Sequence, residues 1–207
     1  MKKNVSSADG IIELLAEQAE SPKSKEFTTK SRGKLIEFYL SGEIEEPSEY
    51  EEFFGEVRHL TDNDVVKIYI NSVGGDMFTS MQFVRVLRST SATVIGVIEG
   101  ACMSGATMIF LACDTYEVAP HCSFMIHNYS GGSVGKGGEM SLQLEFERKW
   151  SIHFYESTYE HFLCNDEIKS VLDGKDIWLT SEQVVDRLNR RLKARAAKAK
   201  EAKKANK

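Results

Sequence analysis

The chain has 207 residues, of which 42% are apolar and 28% charged, and a formal net charge of −5. That length suits one domain with a substantial core plus short appendages, and the composition excludes wholesale disorder. No stretch approaches bilayer-spanning length, and residues 1–10 carry no apolar run behind a basic start, so no secretory signal is expected.

The charge is unevenly spread. Residues 190–207 hold nine Lys/Arg and one Glu, a net of +8, which leaves −13 for the rest. Such an Ala/Lys-rich tail suits an acidic partner or nucleic acid, but a solvated, helix-prone extension is the plainer reading, and nucleic acid is not expected as a partner. Four cysteines, Cys102, Cys113, Cys122 and Cys164, form no CxxC pair and have no zinc spacing. Free thiols in a reducing, cytoplasmic setting are expected, with no metal and no membrane contact.

Residues 1–33 are polar apart from Ile11-Ile12-Glu13-Leu14-Leu15-Ala16 and read as a flexible N-terminal arm or removable leader. The globular domain is expected over 34–189, followed by the basic tail, 190–207. Residues 35–40 are a β-type run ending at Ser41-Gly42. Residues 50–61 predict a helix with Phe53, Phe54, Val57 and Leu60 on one side. Residues 65–70 predict a second strand, broken by Asn71-Ser72-Val73-Gly74-Gly75. A helix follows with Met77, Met81, Val84 and Leu87 at helical spacing. Residues 92–98 are nearly all apolar, as in a strand buried on both faces. Gly100 ends that run, and Ser104-Gly105-Ala106 opens an apolar helix to about Ala112. Short strands follow near 116–118 and 123–126. A long helix is expected over 138–163, where Leu142, Phe146, Trp150 and Phe154 recur every fourth residue as core packing or an oligomer contact. The order strand, helix, strand, helix, strand argues for an α/β fold with crossover connections.

Three features suggest chemistry. At 100–106 a strand stops and a serine sits at a helix mouth, where first-turn N–H groups lack intrahelical acceptors and small neighbours permit close approach. Ser104 is either an N-cap or a nucleophile whose following N–H faces an oxyanion. The paired glycines Gly74-Gly75 end a buried strand, where they form a tight turn or aim an amide into a cleft; no GK[ST] follows, so this is not a phosphate loop. His127 closes an apolar strand before a Gly-rich stretch, as a packed residue or as a general base.

Together these pieces resemble the Clp protease proteolytic subunit. Lys67-Ile68-Tyr69-Ile70-Asn71-Ser72-Val73-Gly74-Gly75 is similar to its INSPGG turn, Gly100-x-x-x-Ser104 to its nucleophile motif, and Phe124-Met125-Ile126-His127-Asn128 to its histidine motif. Leu35 to Gly42 resembles its first strand, and Lys175-Asp176-Ile177-Trp178-Leu179-Thr180-Ser181-Glu182 its aspartate segment. Five motifs in order over about residues 35–186 are specific where any one is weak. The resemblance implies a Clp/crotonase-type α/β spiral of ββα units with a protruding long handle helix. It implies a serine endopeptidase with Ser104, His127 and Asp176 as triad and the backbone N–H groups of Gly75 and Gly105 as oxyanion donors. An extended peptide would be bound along Gly74, Tyr129, Ser130, Gly131 and Gly132 by strand addition. It further implies no cofactor, a homo-oligomer of heptameric rings stacked as a tetradecamer, and an AAA+ unfoldase as a possible ATP-using partner.

Cys102 rivals Ser104 as nucleophile, Asp173 rivals Asp176, and His121 rivals His127. The sequence departs from the family pattern at Val73 (usually Pro), at Cys102-Met103, at Gly105 after the nucleophile, in a Ser104–His127 span two residues short, and in the basic run after Asp186. The short span points toward divergent, often phage-encoded relatives. The alternatives are a phage-type capsid or scaffold maturation protease with the same triad, a catalytically silent ring subunit, and a crotonase acting on acyl-CoA.

Overall fold

The computed structural model describes residues 33–132 and 134–205, apart from the side chains of 203 and 205. The N-terminal arm expected over 1–33 lies, except for Gly33, outside them. The described residues form one compact unit.

The chain order is β1 (Leu35–Ile44), a 3-10 turn (Pro47–Tyr50), α1 (Glu51–Arg58), β2 (Val65–Gly75), α2 (Met77–Ser89), β3 (Thr93–Met103), α3 (Gly105–Ala112), β4 (Thr115–Val118), β5 (Ser123–Ile126), α4 (Gly137–Thr158), α5 (Asn165–Leu172), β6 (Ile177–Leu179) and α6 (Ser181–Ala205). The strands make one sheet in the order β1-β2-β3-β5-β6, with β4 also on β3. All pairs are parallel except β5–β6. This is the α/β architecture expected from the alternating elements.

Period-2 burial sets the sheet's orientation. Val66, Ile68 and Ile70 of β2 are fully buried, whereas Val65, Lys67 and Tyr69 are half-buried on the other face. The covered face packs on α1, α2 and α3. Phe38 of β1 stacks on Phe53 of α1 at 4.1 Å, and Phe54 meets Phe83 of α2 edge-on at 4.7 Å. Helix α3 is buried along its whole length, as an apolar helix in the middle of a core must be.

The strands run further than the sequence suggests. β2 and β3 continue through the expected breaks at Asn71 and Gly100, because side chains replace lost ladder bonds. Pairing jumps from Ile70↔Ile98 to Ser72↔Cys102, and in the gap Asn71 Oδ1 accepts the Ala101 N–H at 2.9 Å. β1 likewise passes Gly42, whose φ of +78° carries a bulge. Helix α4 ends at Thr158 rather than near 163, and the turn that follows holds His161 at φ +63°.

Helix α6 is continuous from Ser181 to Ala205 and so crosses the expected domain–tail boundary. Val184, Leu188 and Arg191 are buried on one face. Arg191 donates to the carbonyls of Thr158, Glu160 and Leu111 at 3.1, 2.8 and 3.3 Å, which satisfies C-terminal carbonyls of α4 and α3. Burial lowers its pKa to about 10. One turn earlier Arg187 clamps Glu167 of α5 with bonds of 2.9 and 2.6 Å. Hydrogen bonding to that guanidinium holds the Glu167 carboxyl down to about 2.

Candidate active site

The sheet brings Ser104 and His127 together through two adjacent parallel strands. β3 ends at Met103, which pairs with Met125 of β5. The Ser104 N–H donates to the Met125 carbonyl at 2.8 Å, tying the first residue past β3 to β5. His127 is the first residue past β5, so both side chains emerge at the C-terminal edge where ligands of α/β sheets collect.

Ser104 occupies the N-cap position of α3 but makes no cap hydrogen bond with its side chain. Its backbone, φ 52° and ψ −125°, is a sharp elbow disfavoured for a residue with a Cβ. The Oγ lies 2.7 Å from His127 Nε2. Neither side chain is fully buried. A hydroxyl freed from capping and bonded to an imidazole nitrogen can lose its proton as it attacks an electrophile.

The Gly74-Gly75 turn closes against this elbow. A Cβ on Gly74 would lie 2.6 Å from Ser104 Cβ and 2.8 Å from the Met103 carbonyl oxygen, and φ is +95°, so only glycine fits. Ser72 pins the turn from below. Its hydroxyl donates to the Gly42 carbonyl at 2.6 Å and accepts the Gly74 N–H at 3.1 Å. That use of the Gly74 amide leaves Gly75, exposed and at φ +153°, as the turn's other amide. Gly105 is the first residue of α3, where the N–H has no intrahelical acceptor; it is buried, and a Cβ would collide with Ser80 Oγ.

Asp176 stands apart. The antiparallel register pairs Phe124↔Leu179, Met125↔Trp178 and Ile126↔Ile177. His127 follows β5 and Asp176 precedes β6, so extending this register by one step would pair the two, although neither is in a strand. Asp173 lies at the C-cap of α5, off this register. Asn128 Nδ2 donates to the Leu172 carbonyl at 3.2 Å and ties the segment after β5 to the end of α5. Among the described residues Asp176 makes no hydrogen bond or ion pair, and it is exposed.

The rivals differ in setting. Cys102 is fully buried, and burial pushes its thiol well up, away from the reactive thiolate. His121 is exposed in a turn at φ +62°. Tyr129 is half-buried, and its N–H donates to Asn128 Oδ1 at 3.0 Å; Ser130, Gly131 and Gly132 are exposed and in no strand. Among the described residues no His/Cys/Asp/Glu group suits a metal, and no helix is long and apolar enough to cross a membrane.

The sequence reading missed the residues behind the site. Tyr155 OH donates to the His127 carbonyl at 2.6 Å. Tyr159 OH and Thr107 Oγ1 are 2.7 Å apart, and Thr107 Oγ1 donates to the Ser104 carbonyl at 2.6 Å. The one available signal is two tyrosines four residues apart near the end of a helix, which alone says nothing of what they touch.

Two comparisons bear on identity. Three relatives, each described as an ATP-dependent Clp protease proteolytic subunit, are 22% identical over 120 residues, or 57% of this chain: two from strains of Bacteroides fragilis and one from Bacteroides thetaiotaomicron. The match spans 58% of one relative's length and 54% of the other two. The Clp protease family model matches residues 37–187, which include Ser104, His127 and Asp176. The chain belongs to the Clp protease family.

Proposed function

We propose that the protein is a serine endopeptidase that cleaves peptides or unfolded polypeptides through Ser104, His127 and Asp176. The observation that carries this reading is the 2.7 Å contact between Ser104 Oγ and His127 Nε2 at a strained helix mouth. Ser104 Oγ attacks the scissile carbonyl carbon while His127 Nε2 takes the hydroxyl proton. Charge develops on the carbonyl oxygen and is met by the N–H groups of Gly75 and Gly105. Collapse breaks the C–N bond, His127 gives its proton to the leaving amine, and an ester to Ser104 remains. Water, deprotonated by His127, then releases the acid and restores the serine. Asp176 orients the imidazole and offsets its positive charge, an arrangement that tightens as substrate fills the site. No cofactor takes part.

The exposed Gly131-Gly132 stretch offers unpaired backbone for an extended substrate. The exposed apolar side chains of α4, Leu142 at 70% and Phe146 at 67%, favour α4 as an oligomer contact, and on this reading the chain builds heptameric rings stacked in pairs through α4, with an ATPase feeding folded substrates. A second reading, a ring subunit without activity, draws on the exposed, unbonded state of Asp176. Hydrolysis of a short fluorogenic peptide separates the two. The peptidase reading requires turnover by the wild type that Ser104→Ala abolishes; equal rates for both proteins would contradict it.

A further inference from the structure

Behind the Ser104–His127 contact runs a buried row of hydroxyls from α3 to α4. Thr107 has one hydroxyl proton. Ser104's carbonyl can only accept, so the 2.6 Å bond between them uses that proton. Tyr159 OH must therefore donate in its 2.7 Å contact with Thr107 Oγ1. The Thr107 N–H donates to the same carbonyl at 3.0 Å. The Tyr159 ring stacks on the Tyr155 ring at 5.6 Å, and Tyr155 OH donates to the His127 carbonyl at 2.6 Å. Thr107, Tyr155 and Tyr159 are all buried, and burial drives both phenols far above their ordinary range, so they stay protonated donors.

This row reaches the chemistry through backbone geometry. The peptide joining Ser104 to Gly105 is planar and trans, so its C=O and N–H point in opposite directions. Two hydrogen bonds pulling the Ser104 carbonyl toward Thr107 therefore hold the Gly105 N–H pointing away from it. At the other end, the bond to the His127 carbonyl fixes the main chain from which the imidazole projects.

We propose that Thr107, Tyr159 and Tyr155 are positioning residues that preset the Gly105 amide and the His127 backbone for the reaction at Ser104. The proposal rests on the peptidase reading above. It also makes α4 a mechanical link to the site, because Tyr155 lies in the last turn and Tyr159 at the C-cap of the helix whose apolar side chains lie exposed further along. The alternative is that Thr107 merely back-bonds to the preceding turn, as threonines in helices often do, and that the tyrosines only fill the core.

Rates of Ser104 labelling by a fluorophosphonate, together with kcat and KM on a short peptide, distinguish these. They are measured well below each variant's melting temperature. Thr107→Val removes the side-chain half of the pull on the Ser104 carbonyl, and Tyr159→Phe removes the donor that orients the Thr107 hydroxyl, both with little change of shape. Thr107→Val is expected to slow labelling and kcat about tenfold or more, and Tyr159→Phe by less, with KM nearly unchanged in both. Thr107→Ser restores the hydroxyl and is expected to restore the rate. Tyr155→Phe is expected to lower kcat and to alter the pH–rate profile through His127. If Thr107→Val does not fold, the two Tyr→Phe variants carry the test. Wild-type rates in all variants, or losses that only track the unfolded fraction, would overturn the proposal while leaving the peptidase reading intact. A wild type that the probe does not label would overturn that reading, and the positioning role with it.

Discussion

The two sides of the candidate site are held very differently. On the Ser104 side the serine N–H is tied to β5, its carbonyl to Thr107, the neighbouring turn to Ser72, and the imidazole to the hydroxyl. On the Asp176 side one three-residue strand sets the register, and the carboxylate is exposed with no partner among the described residues. Ser104 and His127 follow neighbouring parallel strands at the centre of the core. Asp176 precedes an edge strand of three residues, of which only Leu179 is buried. Chemistry that depends on the first side should therefore be brittle, and chemistry that depends on the second should be graded.

The largest effect breaks the rigid side. Ser104→Ala is expected to lower peptide hydrolysis by about 10⁴-fold or more, since members of such a catalytic unit act together. Asp176→Asn should cost less in kcat than Ser104→Ala, by roughly one to two powers of ten, because the Ser104–His127 contact stands without the carboxylate. Equal losses in the two variants would erase the distinction. Gly74→Ala tests packing rather than chemistry. Its methyl would press on Ser104 Cβ at a positive φ, and a loss of about 10²-fold in kcat is expected with the fold retained by circular dichroism.

Smaller effects test the frame around the edge strand. Glu167 is held near pKa 2, below its ordinary 4.5, by Arg187. A depressed carboxylate stabilises the fold above its unfolded pKa, and that contribution is lost as pH falls from about 4.5 toward 2. Glu167→Gln should lower stability by about 1–3 kcal/mol near neutral pH and flatten the acid limb of the stability curve. Urea midpoints measured from pH 7 to pH 3 would check this; an unchanged acid limb would show that the pair adds nothing.

The same contrast explains what the sequence could tell. Residues 65–70, 92–98 and 123–126 read as strands because burial imposes an apolar pattern locally, and Ser104 and Gly74-Gly75 stood out because a helix mouth and a glycine pair are local signals. β6 is too short to carry a pattern, and residues 165–172 went unnoticed as a helix. Arg191 looked like the start of a solvated tail, because nothing in its neighbours reveals the three carbonyls it caps from α3, α4 and the turn beyond. Tyr155 and Tyr159 escaped for the same reason. Their partners Thr107 and His127 lie 52 and 28 residues away in the chain. The exposed row of Leu142 and Phe146 was visible as a stripe, but burial on α4 falls instead on Ser151, Tyr155 and Thr158.

The central claim is that the Ser104 hydroxyl and the His127 imidazole act as one reactive unit. A peptidyl chloromethyl ketone tests it directly, because alkylation of the imidazole requires the serine to hold the ketone beside it. Tandem mass spectrometry should find the adduct on His127 in the wild type and not in Ser104→Ala. An unmodified His127, or one modified equally in both proteins, would contradict the account.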